Sequence, residues 1–150
     1  IKKGQYMSPW NMRNSIKKII DGTGNDKIML TERGTFFGYN MLVNDFRSLP
    51  IMQESGYPVC YDATHSIQMP TSQGSISGGQ REFIPSLTRA AAASGVQAIF
   101  MEIHDNPDKA LSDPATQVDI KYVERILDQA KRMHDVNLEL REKWGVDNVK

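Results

Sequence analysis

Four short apolar runs in this sequence each end in residues that could do chemistry. Ile1 leads into Lys2-Lys3, Ile28-Met29-Leu30 into Thr31-Glu32-Arg33, Val59-Cys60-Tyr61 into Asp62-Ala63-Thr64-His65, and Ala98-Ile99-Phe100-Met101 into Glu102-Ile103-His104. A lysine beside an arginine offers a point charge and a planar fork of donors, a pairing suited to a phosphate dianion. His65, Glu102 and the downstream Asp113 supply one imidazole and two carboxylates, a mixed donor set suited to a divalent ion of intermediate hardness. These residues lie far apart in sequence, so only a fold that gathers the run ends makes a site of them. Taken singly, most Lys and Arg are solvated and most His are structural; the shared position just past an apolar run sets these apart. His104 and His134 are read as structural or surface groups, Cys60 as a small buried apolar residue, and the eight Met as core filler.

The elements that must position these groups follow from the spacing. Lys2 to Arg33, Arg33 to His65 and His65 to Glu102 are steps of 31, 32 and 37 residues, close to the roughly 30 residues of one strand with its crossover helix. Strands joined by helical crossovers run parallel, so the four polar clusters are expected at the C-terminal edge of one sheet, where α/β proteins place their sites. Between the runs, Pro9 with Ser8 as N-cap opens a helix carrying Met12, Ile16, Ile19 and Ile20, and Gly22–Asp26 stops it. Lys27–Leu30 is the second strand. Met41–Ser55 carries Leu42, Val43, Phe46, Leu49 and Met52 and is expected as two short helical pieces or a helix kinked at Pro50. Ser66–Gly79 shows no periodicity and is expected to be an irregular loop of functional length. Its end, Ser77-Gly78-Gly79, could offer backbone N–H groups to a second anion, or could simply be a helix-start loop. A helix over Glu82–Ser94, a strand over Val96–Met101, a long helix from Asp119 to Lys143 and a frayed tail at Asn148-Val149-Lys150 complete the order.

Composition narrows the function classes. At 150 residues, with 18 basic against 18 acidic side chains, the chain fits one domain and carries no net field toward nucleic acid or an acidic membrane. One cysteine excludes an internal disulfide and a zinc ribbon. No apolar run approaches the roughly 20 residues of a membrane span. A cytoplasmic protein without nucleic-acid or membrane partners is the expectation. The opening on Ile1, directly in a strand, leads us to expect the back part of a longer protein.

The motifs Lys2-Lys3-Gly4-Gln5, Thr31-Glu32-Arg33-Gly34, Gly38-Tyr39-Asn40, Asp45–Pro50, Asp62-Ala63-Thr64-His65-Ser66, Ser77–Glu82 and Phe100-Met101-Glu102 run in order over nearly the whole chain. In them the sequence resembles the 3-deoxy-D-manno-octulosonate 8-phosphate synthases, which condense phosphoenolpyruvate with D-arabinose 5-phosphate. The resemblance implies a (β/α)8 TIM barrel, with residues 1–150 as the C-terminal half of that single domain, strands five to eight, and the N-terminal half outside this chain. It implies phosphoenolpyruvate binding by Lys2 and Arg33, with Lys3 the weaker candidate of the lysine pair, and substrate contacts from His65 and Gln68. It also implies a divalent metal (manganese, iron, cobalt or zinc) on His65, Glu102 and Asp113, a homotetramer, and a place in lipopolysaccharide biosynthesis. Pro114 departs from the Gly that most relatives carry after that Asp, and its fixed φ could re-aim Asp113. The sister heptulosonate synthases, which use a four-carbon sugar phosphate, are a second reading. A non-catalytic half barrel that pairs through its exposed strand edges is a third.

Overall fold

A computed structural model of the chain describes residues 1–73 and 76–145. In chain order the elements are α1 (Met12–Thr23), β1 (Leu30–Glu32), α2 (Ser48–Gln53), β2 (Val59–Asp62), β3 (Gln68–Gln73), β4 (Ile76–Gly79), α3 (Ile84–Ala93), β5 (Ala98–Phe100), β6 (Ile103–His104), β7 (Val118–Asp119) and α4 (Val123–Trp144). Single 3-10 turns precede α1, α3 and α4.

The expected parallel sheet is present. Strand β1 pairs with β2 and β2 with β5, both parallel, and Lys2 makes a parallel bridge to Thr31 on the other side of β1. Main-chain bonds from Lys3 N to Thr31 O and from Thr31 N to Ile1 O, each 2.8 Å, lash the first segment to the sheet. The first segment, β1, β2 and β5 are thus neighbours in space in that order, and all four end at the same edge. Because both faces of such a sheet are covered, its strands read as continuous apolar runs rather than alternating ones. Val59, Cys60, Tyr61 and Asp62 are all buried, with Leu30, Ile28, Ile67 and Ile84 in the same core.

The helices follow from their apolar stripes. Helix α1 turns Met12 and Ile16 inward and ends at Gly24, whose φ of 68° places it in the left-handed region and lets its N–H reach Ile20 O. Ser8 stands at the start of the preceding turn without the expected side-chain capping bond, and Pro9 follows it in the first turn. Helices α3 and α4 pack on each other, and Ala91, Ala92, Ile126 and Ala130 on them are buried. Among the described residues no helix is long and apolar enough to cross a membrane.

Three expectations need correction. The stretch Met41–Ser55 is not two helical pieces: only Ser48–Gln53 is helical, and Pro50 lies in its first turn, where the missing N–H costs nothing. Ahead of it Val43 makes an antiparallel bridge to Thr35, and Asp45 Oδ1 accepts from Arg47 N at 3.0 Å, a side-chain turn that holds off the helix. Ser66–Gly79 is not irregular: β3 and β4 form an antiparallel hairpin, Gln68 opposite Gly79 and Met69 opposite Gly78. The hairpin is defined by its main-chain pairing, and its polar sequence shows no alternation. The second and fourth strands begin later than expected, at Leu30 and Ala98. The tail Asn148–Lys150 and Gly74 lie outside the described residues.

Candidate functional site

Each strand end carries its functional group into one open mouth. Asp62 closes β2, and the next turn, Thr64–Ile67, is built around its carboxylate: Oδ1 accepts from Thr64 N at 3.2 Å, Thr64 Oγ1 at 3.2 Å and His65 N at 2.9 Å. That turn holds the His65 imidazole with Nδ1 on Asp62, 3.0 Å from Oδ1 and 2.8 Å from Oδ2. On the far side of the ring, Nε2 stands 3.5 Å from Glu102 Oε1. Glu102 follows β5, and its backbone N–H is tied to Thr64 Oγ1 at 3.2 Å.

Asp113 arrives from the loop between β6 and β7, which the parallel pairing of Ile103 with Val118 closes. Its φ of 47° lies in the left-handed region, an uncommon setting for a non-Gly residue and more so before a proline. The Asp113 carbonyl accepts from Thr116 N at 3.0 Å and Gln117 N at 3.3 Å, which holds that conformation. Pro114 therefore does not turn the side chain away. One ligand atom each from His65, Glu102 and Asp113 lies within 4.8 Å of the others.

The cations complete the mouth. Lys2 Nζ pairs with Asp62 Oδ2 at 2.6 Å and stands 5.0 Å from the Phe100 ring centre. Arg33 is 7% exposed. Its Nη2 donates to Gln68 Oε1 at 2.7 Å, while Nη1 is buried and has no hydrogen-bond partner among the described residues. Gln68 Nε2 in turn donates to Asp113 Oδ1 at 2.7 Å. The amide of Gln68 thus joins the anion-seeking guanidinium to the cation-seeking carboxylate, accepting from one and donating to the other. Burial draws the Arg33 guanidinium below its ordinary value, against the opposing pull of Asp62, Asp113 and Glu32, and a guanidinium stays charged in such a setting. Burial would push the Asp62 carboxyl up, but hydrogen bonds from His65 and Lys2 outweigh it and hold Asp62 below the usual carboxylate range.

Lys3 goes elsewhere. It is 1% exposed, and its ammonium lies 3.4 Å from Glu32 Oε1, 3.2 Å from Gly34 O and 3.1 Å from Thr35 Oγ1. Those partners place its ammonium against the loop behind Arg33. Successive strand residues point to opposite faces, which separates Lys2 from Lys3. Cys60 is buried, and burial pushes its thiol up, so it offers no thiolate. Gly78 and Gly79 lie within β4 rather than in a helix-start loop. Asp62 is not among the candidate residues that the sequence singles out, yet it anchors both His65 and Lys2. Its signal was the Asp-x-x-His spacing at a strand end, which puts a carboxylate oxygen within reach of Nδ1.

The donor set fits a divalent cation. Imidazole and two carboxylates suit such an ion, and Glu102 Oε2 is buried with no hydrogen-bond partner among the described residues. A model of the DAHP synthetase I family matches residues 1–139. The chain belongs to the DAHP synthetase I family. Three curated relatives, each named 2-dehydro-3-deoxyphosphooctonate aldolase, come from Cyanothece sp. (strain PCC 7425 / ATCC 29141), Protochlamydia amoebophila and Geobacter sulfurreducens. The first is 57% identical over 129 residues, covering 86% of this chain and 47% of the relative. The second is 53% identical over 136 residues, covering 91% and 49%. The third is 54% identical over 131 residues, covering 87% and 48%. The chain spans about half the length of the curated relatives it matches. For a member of the DAHP synthetase I family, the parallel sheet with its polar edge is the expected frame, and the matched stretch 1–139 contains every residue of the mouth.

Proposed function

We propose that this chain is the site-bearing half of a 3-deoxy-D-manno-octulosonate 8-phosphate synthase, known also as 2-dehydro-3-deoxyphosphooctonate aldolase. Residues 1–150 are then strands five to eight of a single (β/α)8 barrel. The observation that carries the reading is the buried Arg33 Nη1, unpartnered among the described residues, with Lys2, beside the His65–Glu102–Asp113 group. In the reaction, C3 of phosphoenolpyruvate forms a bond to the aldehyde carbon of arabinose 5-phosphate. Water adds at C2, and phosphate leaves by C–O cleavage. Arg33 and Lys2 hold the anionic groups of phosphoenolpyruvate and stabilise the departing dianion. Gln68 keeps Arg33 in register with Asp113. His65, Glu102 and Asp113 would hold manganese, iron, cobalt or zinc, which when bound supplies Lewis-acid polarisation of an oxygen. The base of the hairpin β3–β4, at Gln68, borders the mouth, and in this reading the hairpin helps screen the reacting carbons from bulk water. A homotetramer in the cytoplasm, serving lipopolysaccharide biosynthesis, belongs to the same reading.

The test is a chimera in which this chain replaces the stretch of the Cyanothece sp. relative that it matches. Turnover of phosphoenolpyruvate with arabinose 5-phosphate is expected from the chimera and not from the 150-residue chain alone, whose β5 edge is unpaired among the described residues. Preference for a four-carbon sugar phosphate would favour the heptulosonate reading, and turnover by the chain alone would remove the half-barrel reading.

A further inference from the structure

Asp62 is the most deeply buried charged group in the mouth, with 0% exposure, and neither substrate nor metal binding accounts for it. We propose that Asp62 is the positioning residue of this site: one buried carboxylate that fixes the tautomer of His65 and docks the ammonium of Lys2. The proposal rests on the synthase reading above.

A plainer role is available. A carboxylate at the end of a strand commonly caps the turn that follows, and Oδ1 does so here through Thr64 N and His65 N. Capping needs only one oxygen, and an asparagine caps as well. The second oxygen is engaged outside the turn backbone, with Lys2 Nζ at 2.6 Å and His65 Nδ1 at 2.8 Å.

His65 Nδ1 has two neighbours with opposite demands. Asp62 can only accept, so it calls for a proton on Nδ1; Lys2 Nζ, 3.3 Å away, can only donate, so it calls for a bare one. Distance decides between them. Nδ1 is nearer to both Asp62 oxygens than to Lys2, and the closest partner of Lys2 is Asp62 itself. The geometry therefore puts the proton on Nδ1 and leaves Nε2 bare. A bare Nε2 then faces Glu102 Oε1 at 3.5 Å, two acceptors turned toward one point, with Asp113 the third donor of the group. That is a slot for a cation, and its nitrogen is available only because Asp62 fixes the other side of the ring.

The same carboxylate holds Lys2. Its side chain is 42% exposed, and without a buried partner the ammonium would be free to sweep through water. Paired with Asp62, it is pinned beside the Phe100 ring, 5.0 Å from its centre. One side chain thus sets both the metal-facing nitrogen and the cation that meets phosphoenolpyruvate. An amide in its place keeps the turn, yet turns an NH2 toward either Lys2 or the His65 N–H.

Asp62→Asn therefore separates capping from positioning, and the chimera described above is the setting. In Asp62→Asn, with its thermal melt recorded alongside, Mn2+ affinity is expected to fall about 10- to 100-fold, and the KM for phosphoenolpyruvate is expected to rise as Lys2 comes loose. Asparagine matching the parent protein in both would overturn the proposal. A second measurement needs no variant: long-range 15N–1H spectra of the parent protein should show the His65 proton on Nδ1, and a proton on Nε2 overturns the proposal even if Asp62→Asn does not fold. His65→Ala separates the two levels. If it abolishes Mn2+ binding while Asp62→Asn leaves it intact, the positioning role alone is wrong. If neither variant alters Mn2+ binding, the metal site of the synthase reading is wrong, and the positioning role with it.

Discussion

Gly79 touches no candidate ligand, yet its replacement should damage the metal group. It lies opposite Gln68 at the base of the hairpin and presses on the Ala115–Thr116 turn. A Cβ built there falls well inside contact distance of Thr116 Cγ2 and 3.0 Å from Ala115 O. To bring the Thr116 methyl out to 3.4 Å, where ordinary contact begins, the turn must give by about 1 Å, an overpacking that costs about 1–3 kcal/mol. In a protein of 150 residues or more that lowers the melting point by about 2–12 °C. The displacement does not stay local, because Thr116 N and Oγ1 both bond to Asp113 O. Asp113 moves with the turn, and its bond from Gln68 Nε2 is stretched at the same time. Gly79→Ala in the chimera should therefore weaken Mn2+ binding about 10- to 100-fold, as read by electron paramagnetic resonance titration of free Mn2+. Adding Thr116→Ser removes the clashing methyl but keeps a hydroxyl for Asp113 O, so the double variant should recover most of the loss. Gly79→Ala with the parent's melting point and Mn2+ affinity would refute the coupling between hairpin and ligand loop.

Two further outcomes follow from the same geometry. Arg33→Met removes the guanidinium whose Nη1 awaits a partner; a charge-assisted hydrogen bond contributes about 1.5–3 kcal/mol, so inorganic phosphate binding, followed by calorimetry, should weaken at least about 10-fold, and unchanged binding would remove Arg33 from the anion site. At high pH, Tyr61 should govern stability: burial first, with nearby Glu32 and Asp62, raises its hydroxyl above the ordinary value while the bond to Ser66 Oγ pulls the other way. A folded-state value raised above the unfolded one near 10 means that its contribution is intact below about pH 10 and is lost as pH rises beyond it, at about 1.4 kcal/mol per pH unit. Tyr61→Phe should flatten that alkaline limb in urea midpoints, and an unaltered limb would contradict the assignment.

The frame of the site was legible because apolar runs with polar ends at near-constant spacing leave few arrangements other than a parallel sheet. Lys2, Arg33, His65 and Glu102 could be named from position alone, since each sits just beyond a run that must be buried. Asp113 could be named for its carboxylate but not placed, because nothing in a loop sequence says where its tip returns; its arrival beside His65 depends on the β6–β7 pairing and a left-handed backbone. The hairpin was missed for a related reason. Its strands are held by main-chain bonds across polar residues, and the pattern of two that marks a half-buried strand is lacking. The apolar positions of Met41–Ser55 misled in the other direction: Leu42, Leu49 and Met52 are buried as a helix would bury them, but Leu42 gets there from an extended segment. Lys3 shows how little separates a ligand from a brace, one residue along a strand being enough to reverse the side it faces.

X-ray absorption at the manganese edge of the Mn2+-loaded chimera tests most directly whether three separate loops meet at one cation. One nitrogen scatterer with imidazole multiple scattering, together with carboxylate oxygens, is the expected first shell, and the nitrogen should vanish in His65→Ala. An all-oxygen shell that His65→Ala leaves untouched would contradict the account.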